Sequence, residues 1–318
     1  MIDLLLIGYS TFAQRRVLPA VATVEEIGTV HVASRSGGPH VNGQDVPRLG
    51  RVFDDYARAL DQTPPCLAYI SLHNGAHAAW AERALAAGHH VVVDKPAFTD
   101  LADAERLVAL ARQQSLVLAE ATTYAFHPVV DSMLRIFREH GSVPTQATVA
   151  FTPPVPPGGY RHRRDLGGGA LLDTGPYFAS IGRLVFGGPP LWLRACVTGA
   201  SDGVETSYSV LSRYASGTLI GHFGFTTEYR NWMHLAARAL DLELSGIFST
   251  RPTVETDITV RRAGIVSIER CPAADSVRTF LREVLSAVVA GDGGRFGDVL
   301  LADARTLAAL RRTAEDTS

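Results

Sequence analysis

The sequence has few cysteines, and their spacing does not pair them. Cys66, Cys196 and Cys271 are odd in number, far apart and outside any CxxC pattern. This spacing argues against a disulfide framework and against a structural zinc site. A reducing compartment suits such a chain, and we expect a cytoplasmic protein.

Long apolar runs and an excess of one charge are lacking as well. No stretch is long enough to span a bilayer, and the short apolar start MIDLLLIG predicts a first β-strand rather than a signal peptide. The formal net charge is −2, so the composition shows no electrostatic footprint for nucleic acid or an anionic membrane. The expected partner is a small molecule.

The composition is that of a globular protein long enough for two domains, with 318 residues, 46% hydrophobic and 19% charged. The first 121 residues alternate strand-like and helix-like segments, which predicts a parallel sheet with crossover helices. The predicted strands are 2–7, 29–34, 66–71, 90–94 and 117–121, and the predicted helices are 76–87 and 101–114.

After a predicted helix at 128–139, strands follow with few helices between them, at 145–151, 192–197, 204–214, 219–227 and 235–244. This pattern indicates one large, mostly antiparallel sheet. The predicted fold class is α/β plus α+β. A Rossmann, doubly wound parallel sheet occupies 1–121, and a substrate-binding and oligomerisation domain with an open sheet occupies 122–300. Helices at 277–289 and 299–312 are expected to pack back on the first domain, and 301–318 forms the C-terminal helical segment.

A degenerate glycine-rich turn, GYSTFA, follows the first predicted strand. Such turns bring a pyrophosphate to a helix N-terminus, and here Ser10 stands where the second glycine is usual. The position at the start of a βαβ pattern favours cofactor binding, whereas the alternative is a tight turn without a ligand. The predicted cofactor-binding residues of this turn are Gly8, Ser10, Thr11, Phe12 and Ala13.

The end of the second predicted strand indicates which dinucleotide is used. An acidic residue there accepts hydrogen bonds from the ribose of NAD, whereas an arginine accommodates the 2′-phosphate of NADP. The chain has Ser34 and Arg35 at this point, so we predict NADP rather than NAD. The alternative is that Arg35 is a solvated loop residue.

The candidate chemistry lies in two short motifs. Asp94, Lys95 and Pro96 end a buried apolar strand, at the edge of a parallel sheet where ligands bind. In the glycine-rich run 167–177, Asp173 and Tyr177 are spaced by about one helical turn. Lys95, Asp173 and Tyr177 are the predicted catalytic residues, although Asp173 alone also suits a helix cap and Tyr177 alone a packed helix position.

The segments AGHHVVVDKP and GGGALLDTGPY resemble the AGKHVxxEKP and GGGxLxDxGxH motifs of the Gfo/Idh/MocA oxidoreductase family. The resemblance covers nearly the whole chain in element order, and it implies an NAD(P)-dependent enzyme with Lys95 as catalytic lysine and Asp173 as the family aspartate. Tyr177 stands where most members have the catalytic histidine. The chain is similar to nucleotide-linked 3-ketosugar reductases of antibiotic deoxysugar pathways in three features. These are Tyr177, the degenerate glycine-rich turn at 8–13, and Ser34-Arg35 after the second predicted strand.

That resemblance implies a direction and a mechanism. A tyrosine, with an ordinary pKa of about 10, acts mainly as a proton donor and favours reduction. We expect Tyr177 to protonate the alkoxide, Lys95 to hold the oxygen, and Asp173 to orient Lys95 or bind a sugar hydroxyl. Two departures from the family are Asp94 for the usual glutamate and Ser180 for a second aspartate.

Further candidates come from position in the fold. The loop after the third predicted strand and the Lys95 motif are expected to bind the cofactor, and Leu72, His73 and Asn74 are expected to border the nicotinamide ribose. The expected cofactor-binding set here consists of Ser71, Leu72, His73, Asn74, His77, Asp94, Lys95 and Pro96. His73 and His77 have a spacing that a metal could use, but no acidic third ligand stands nearby, so no metal is predicted.

The expected substrate side contains Glu120, Tyr124 and His127 after the fifth predicted strand, which alternatively serve interdomain packing. Arg161, Arg163 and Arg164 suit a substrate diphosphate because guanidinium forks match phosphate oxygens, although a solvated basic loop fits equally.

The first functional hypothesis is an NADPH-dependent reductase of a nucleotide-linked ketosugar. The alternatives are an oxidoreductase for a free sugar or cyclitol, an imine reductase, and a non-catalytic NADPH sensor. A large open sheet usually needs a cover, so we expect a homodimer or homotetramer.

Overall fold

The computed structural model describes residues 1–35, 41 and 45–315 of the chain. Contacts within the chain divide it into two compact units. The first consists of Met1–Ala121 with Val277–Leu301, and the second of Thr122–Ser276 with Ala302–Ser318. Among the described residues, no helix combines the length and apolarity needed to cross a membrane.

The first unit contains a six-stranded sheet in which every pair of neighbouring strands is parallel. Its strand order is β3-β2-β1-β4-β5-β6, which reverses direction beside β1, the place where doubly wound sheets bind ligands. The strands are β1 (Ile2–Ile7), β2 (Ile27–Ala33), β3 (Leu49–Phe53), β4 (Leu67–Ile70), β5 (His90–Val93) and β6 (Leu118–Glu120). The predicted parallel sheet is confirmed.

Crossover helices explain why the central strands are apolar throughout. All four residues of β4 are buried, as expected of a parallel strand covered on both faces. The helices of this part are α1 (Leu18–Ala22), which follows a π-helical turn at Ala13–Val17, α2 (Tyr56–Gln62), α3 (His77–Ala86) and α4 (Leu101–Gln113). The Asp100 side chain begins α4 by accepting a hydrogen bond from Ala102 N at 2.7 Å.

The second unit contains an eight-stranded sheet in the order β14-β13-β12-β11-β7-β10-β9-β8. Only the central pair of β7 and β10 is parallel among the described pairs, so the predicted mostly antiparallel sheet is confirmed. The strands are β7 (Gln146–Phe151), β8 (Trp192–Ser201), β9 (Val204–Arg213), β10 (Thr218–Gly224), β11 (Asn231–Ala237), β12 (Leu240–Ser245), β13 (Thr256–Arg262) and β14 (Ile265–Cys271).

One strand prediction in this sheet is wrong. The predicted single strand 235–244 is a hairpin, in which β11 and β12 pair from Trp232–Ser245 to Ala237–Leu240. The two turn residues, Arg238 and Ala239, are neither glycine, asparagine nor proline, so the sequence carried no turn signal there.

Helices cover one face of the large sheet. They are α5 (Pro128–Glu139) and α6 (Ala170–Phe186), and α6 is buried over most of its length. A close approach is built into α6, because a Cβ on Gly175 would lie 2.5 Å from Leu307 Cδ1. The helix that carries Asp173 and Tyr177 is therefore packed on two sides.

Only the second of the two C-terminal helices differs in part from the sequence-based expectation. The two helices are α7 (Ser276–Ala290) and α8 (Gly294–Glu315), and the division into units places Ala302–Ser318 with the second unit rather than the first. The reason is that Leu307, Leu310 and Ala314 lie in the apolar cluster under the large sheet, and Asp303 forms an ion pair with Arg183 of α6. Residues 316–318 of the predicted segment lie outside the described residues.

Candidate active site

The glycine-rich turn begins at a position that only glycine fits. Gly8 has φ +93°, its N–H donates to Ala33 O at 2.9 Å, and a Cβ would collide with the carbonyl oxygen of Ser71. The turn therefore lies against the ends of both β2 and β4, at the point where the strand order reverses.

Ser10 has a structural use that explains why it replaces the second glycine. Its Oγ accepts a hydrogen bond from Ala13 N at 3.0 Å, as a helix cap does, and lies 2.7 Å from Ser71 Oγ. Thr11 and Phe12 are exposed between these anchors, and Ala13 is buried. The turn presents the start of a helix to solvent, which suits a pyrophosphate.

Arg35 stands at the end of β2 without a carboxylate partner in the described ion pairs. Ser34 is buried and donates from its N–H to Phe53 O at 2.9 Å, whereas Arg35 is exposed with its guanidinium 5.6 Å from the ring centre of Tyr56. An exposed guanidinium stacked on an aromatic ring suits a phosphate group at this edge.

The loop after β4 is built from buried polar groups. Ser71, Asn74 and His77 are buried, and Leu72 and His73 are partly exposed. The His73 Nδ1 atom is buried without a hydrogen-bond partner in the described part of the chain. A buried polar atom of this kind is suited to a group on a bound cofactor.

The Lys95 segment is held by a chain of hydrogen bonds. The Asp94 carboxylate accepts from Tyr69 Oη at 2.9 Å and from Ser71 Oγ, and Ser71 in turn contacts Ser10. Burial raises the pKa of Asp94, although these hydrogen bonds act in the opposite direction. The turn and the lysine motif are thus connected through side chains.

The backbone after Lys95 is held as well. The Lys95–Pro96 peptide bond is cis. The Pro96 carbonyl lies 2.9 Å from His77 Nδ1, and Ala97 N donates to Glu120 Oε2 at 2.7 Å. Glu120, predicted for the substrate side, therefore contacts the backbone of the lysine segment.

In the second unit, the glycine-rich run at 167–177 packs against the backbone of the arginine segment before it, residues 160–164. Gly169 N donates to Arg161 O at 2.8 Å, and a Cβ on Gly168 would lie 2.6 Å from Tyr160 O. The close approach of these two backbones needs glycine. It brings Arg161 beside the first turn of α6.

The three arginines of this segment have different environments. Arg161 Nε lies 3.0 Å from Asp173 Oδ1, and the Asp173 side chain is only 7% exposed. Arg163 pairs with Asp165 at the surface, and Arg164 is exposed. Of the three, Arg161 is bound to a predicted catalytic residue.

Tyr177 is half-buried in an aromatic cluster. Its ring centre lies 4.7 Å from Phe151, 5.2 Å from Phe248 and 5.7 Å from Tyr124. The edge-on contacts fix the plane of the ring. They restrict where the tyrosine hydroxyl points.

The side-chain hydroxyl groups of Tyr124 and Ser180 form a hydrogen bond with each other. The Ser180 Oγ donates to Pro176 O at 2.6 Å and lies 2.7 Å from Tyr124 Oη, so the tyrosine hydroxyl is the donor in that contact. Burial raises the pKa of Tyr124 far above its usual range, so its hydroxyl stays neutral. The serine that replaces the second family aspartate is thus a buried partner of Tyr124.

His127 caps a helix. Its Nδ1 accepts from Val129 N at 3.1 Å at the start of α5, and burial lowers its pKa. The neutral ring therefore carries its proton on Nε2, which has no partner in the described residues.

Two clusters emerge from the predicted residues, one in each unit. In the first unit the structure brings together Ser10, Ser71, His77, Asp94 and Glu120 around the Lys95 segment. In the second unit it brings together Arg161 with Asp173, and Tyr177 with Tyr124. Within residues 1–35, 41 and 45–315, no group of three or more acidic, histidine or cysteine side chains is arranged to hold a metal ion.

Comparison with known proteins decides the family. A model described as oxidoreductase family, NAD-binding Rossmann fold, matches residues 2–122, and a GFO/IDH/MocA C-terminal domain model matches residues 141–239. A dTDP-3,4-didehydro-2,6-dideoxy-alpha-D-glucose 3-reductase of Saccharopolyspora spinosa is 33% identical over 308 residues, which cover 91% of each chain. The chain belongs to the Gfo/Idh/MocA oxidoreductase family.

Two further relatives match this Gfo/Idh/MocA chain over almost its whole length. A 3-ketoreductase from Actinomadura kijaniata, solved with NADP and TDP-benzene, superposes with a TM-score of 0.89 at 27% identity and covers 98% of both chains. The D-xylose 1-dehydrogenase (NADP(+)) 2 of Haloferax volcanii is 27% identical over 98% of this chain and 96% of its own. The predicted family and fold class are confirmed, and the protein is an oxidoreductase.

The composition carries a further signal for one residue of the site, Lys95. Lys95 is the only lysine in the chain, since 29 of its 30 basic residues are arginine. A chain that uses arginine everywhere else and keeps one lysine indicates a position where a guanidinium does not serve. Tyr69, Phe151 and Phe248 carried no such signal, because their contacts depend on how distant segments come together.

Proposed function

We propose that this protein reduces a carbonyl group of a nucleotide-linked ketosugar with NADPH. The observation that carries the proposal is the presence of both family motifs, with Lys95, Asp173 and Tyr177, in a chain 33% identical over 91% of its length to a reductase of a dTDP-linked didehydro sugar.

The residues of the first unit fit NADP. Residues 8–13 present a helix start for the pyrophosphate, and Arg35 offers an exposed guanidinium for the 2′-phosphate. The buried His73 Nδ1 offers a polar atom without a protein partner in the described chain, and Ser71, Leu72, Asn74 and Pro96 border the same region. When bound, the reduced cofactor supplies a hydride from C4 of its nicotinamide to the carbonyl carbon.

The chain's own residues manage the charge and the proton. As hydride adds to the carbon, the π electron pair of the carbonyl moves to oxygen, and the Lys95 ammonium stabilises the alkoxide. The Tyr177 hydroxyl then gives its proton to that oxygen and regains one from solvent. The ion pair with Arg161 holds the Asp173 carboxylate in the first turn of α6, where it is available to a sugar hydroxyl.

The choice of lysine supports this role. An ammonium is a compact charge with three rotatable donors, whereas a guanidinium is a planar fork that suits carboxylates and phosphates. A single oxygen whose charge grows during the reaction needs the compact group. The only lysine of the chain stands in the motif that the mechanism requires.

On the substrate side, we propose Arg164 for the diphosphate, with Arg161 contributing through Asp173. Arg164 is exposed, whereas Arg161 and Arg163 already pair with carboxylates. Tyr124 and His127 support the aromatic cluster and the start of α5, and act on the substrate pocket through that packing.

The test is NADPH oxidation with a panel of dTDP-linked 3-keto and 4-keto sugars, followed by identification of the reduced sugar. Turnover of one member, lost in Tyr177→Phe under chemistry-limited conditions, supports the proposal. NADPH binding without turnover of any nucleotide-linked sugar contradicts it.

A second candidate is oxidation of a free sugar. It is favoured by the likeness to a D-xylose 1-dehydrogenase over 98% of the chain. NADP⁺ reduction with D-xylose, compared with NADPH oxidation by the dTDP-linked panel under the same conditions, distinguishes the two.

We also propose that the protein acts in the cytoplasm as a homodimer or homotetramer. Apolar side chains stand exposed on the open face of the large sheet, where Leu211 on β9 lies directly opposite Ile220 on β10 and both are more than a third exposed. A second copy of this face is the simplest cover. Light scattering that finds only the 34.1 kDa chain contradicts this assembly.

A further inference from the structure

His77 contacts two loops at once. It is the first residue of α3, is fully buried, and places Nδ1 2.9 Å from the Pro96 carbonyl and Nε2 3.1 Å from the Leu72 carbonyl. Leu72 precedes His77 by five residues in the same loop. Pro96 is nineteen residues away, directly after Lys95.

The two contacts cannot both be hydrogen bonds in the neutral ring. A neutral imidazole carries one N–H, and both facing atoms are carbonyl oxygens that only accept. Burial lowers the pKa of His77, so the ring is neutral near pH 7 and one contact receives the proton. The shorter contact is the one to Pro96.

The remaining anchors of the lysine segment surround this contact without replacing it. The Asp94 side chain is held by Tyr69 and Ser71 before the lysine, and Ala97 N is held by Glu120 after it. The His77 contact holds a different group, the backbone oxygen of Pro96, one residue after Lys95.

We propose that His77 is a positioning residue for Lys95: its Nδ1–H holds the Pro96 carbonyl and so sets where the lysine ammonium stands. The proposal rests on the function proposed above for its catalytic meaning, because Lys95 acts there on the substrate oxygen. Misplacement of a catalytic group by about 1 Å is enough to cost about 10²-fold in rate.

Two conservative variants separate the two contacts. Asparagine carries its amide nitrogen the same number of bonds from Cβ as Nδ1, and glutamine carries it the same number as Nε2. His77→Asn therefore keeps a donor for Pro96, whereas His77→Gln keeps a donor for Leu72 only. His89, which is also fully buried but precedes β5 at the end opposite Lys95, gives the matched control His89→Gln.

The single lysine supplies a readout that does not need turnover. In protein labelled with ¹³C,¹⁵N-lysine, the only lysine Cε methylene signal is that of Lys95, and this signal is followed. We expect this signal to stay at its wild-type position in His77→Asn and His89→Gln and to shift in His77→Gln. With a turned-over ketosugar, kcat is expected to fall about tenfold or more in His77→Gln and less than about threefold in His77→Asn.

Equal behaviour of the two His77 variants, in the lysine signal and in kcat, overturns the proposal, because a merely structural histidine does not distinguish Nδ1 from Nε2. If His77→Gln does not fold, His77→Asn alone decides, since a displaced Lys95 signal in a folded, NADPH-binding variant also overturns it. Failure of the proposed function looks different: the wild type then turns over no ketosugar, and the lysine signal still reports on His77.

Discussion

Arg161 and Asp173 form an ion pair at 3.0 Å in which the carboxylate side chain is 7% exposed and the guanidinium side chain 37%. The pair joins the arginine segment to the first turn of α6, one helical turn before Tyr177. Arg161 was predicted to bind a diphosphate and Asp173 to take part in catalysis. In the structure their opposite charges are paired with each other.

Asp173→Asn is expected to lower the free energy of unfolding by about 1 to 2 kcal/mol, because the guanidinium loses a mostly buried carboxylate and is itself partly solvated. The matched control is Asp165→Asn, which removes the neighbouring pair of Arg163 and Asp165, whose side chains are 58% and 63% exposed. We expect the control to change stability by less than about 0.5 kcal/mol in urea denaturation. Similar losses in the two variants would show that burial of Asp173 is not what makes its pair matter.

Lys95→Arg is expected to lower kcat about 10²-fold or more while the Kd for NADPH changes less than about threefold, because the charge is kept and its geometry is lost. Arg312→Lys, an exposed position in the last turn of α8, tests the reverse exchange and is expected to have no effect on either constant. Single-turnover kinetics with an excess of enzyme measures the chemical step. An arginine enzyme as fast as the wild type contradicts a specific role for the ammonium.

Several individual strands and helices could be predicted from the sequence, and a different sequence signal marks each of them. Strand Ile2–Ile7 and helix Pro128–Glu139 have the predicted bounds, since an unbroken apolar run marks the first and a proline at the first helical position marks the second. Strands β3, β13 and β14 were missed, because β3 and β13 have exposed or partly exposed residues and β14 exposes apolar ones at an edge of the sheet.

In the candidate site, too, residues within one motif could be predicted, whereas contacts between distant segments could not. Lys95, Asp173 and Tyr177 stand in contiguous motifs, so their spacing along the chain was sufficient to single them out. The contact of His77 with Pro96 spans nineteen residues, and that of Tyr177 with Phe248 joins a helix to a turn beyond β12. Contacts of this kind depend on strand order and register, which a single sequence does not specify.

Arg35→Ala is expected to reduce the preference for NADPH over NADH by about tenfold or more, because a charge-assisted contact to the 2′-phosphate contributes about 1.5 to 3 kcal/mol. The measurement is the ratio of the two dissociation constants, from quenching of protein fluorescence by each cofactor. Arg51→Ala removes another exposed arginine near the same sheet edge and is the control, with an unchanged ratio expected. An unchanged ratio in Arg35→Ala as well would make Arg35 a solvated loop residue.

His89 links acid sensitivity to a particular geometry. Its ring is fully buried, Nδ1 accepts from Cys66 N at 3.2 Å, and Nε2 faces the Leu60 carbonyl at 3.4 Å, so the neutral ring satisfies both contacts. A second proton on Nδ1 would face the Cys66 N–H, donor against donor. Burial accordingly lowers the pKa of His89 below its ordinary value, although the Leu60 carbonyl acts in the opposite direction.

Because the pKa of His89 is lower in the folded state than in the unfolded chain, the free energy of unfolding decreases as the pH is lowered. Below the unfolded pKa of about 6.5, the unfolded chain takes up the proton before the folded chain does, so the free energy of unfolding decreases by up to about 1.4 kcal/mol per pH unit until the folded pKa is reached. His89→Gln removes this contribution and is expected to be less stable than the wild type at pH 7.5, with a gap that narrows toward pH 5.5. Part of the slope persists in the variant, because burial lowers the pKa of His77 and His127 as well. Urea midpoints at pH 7.5, 6.5 and 5.5 measure the gap, and parallel curves for the two proteins contradict the assignment.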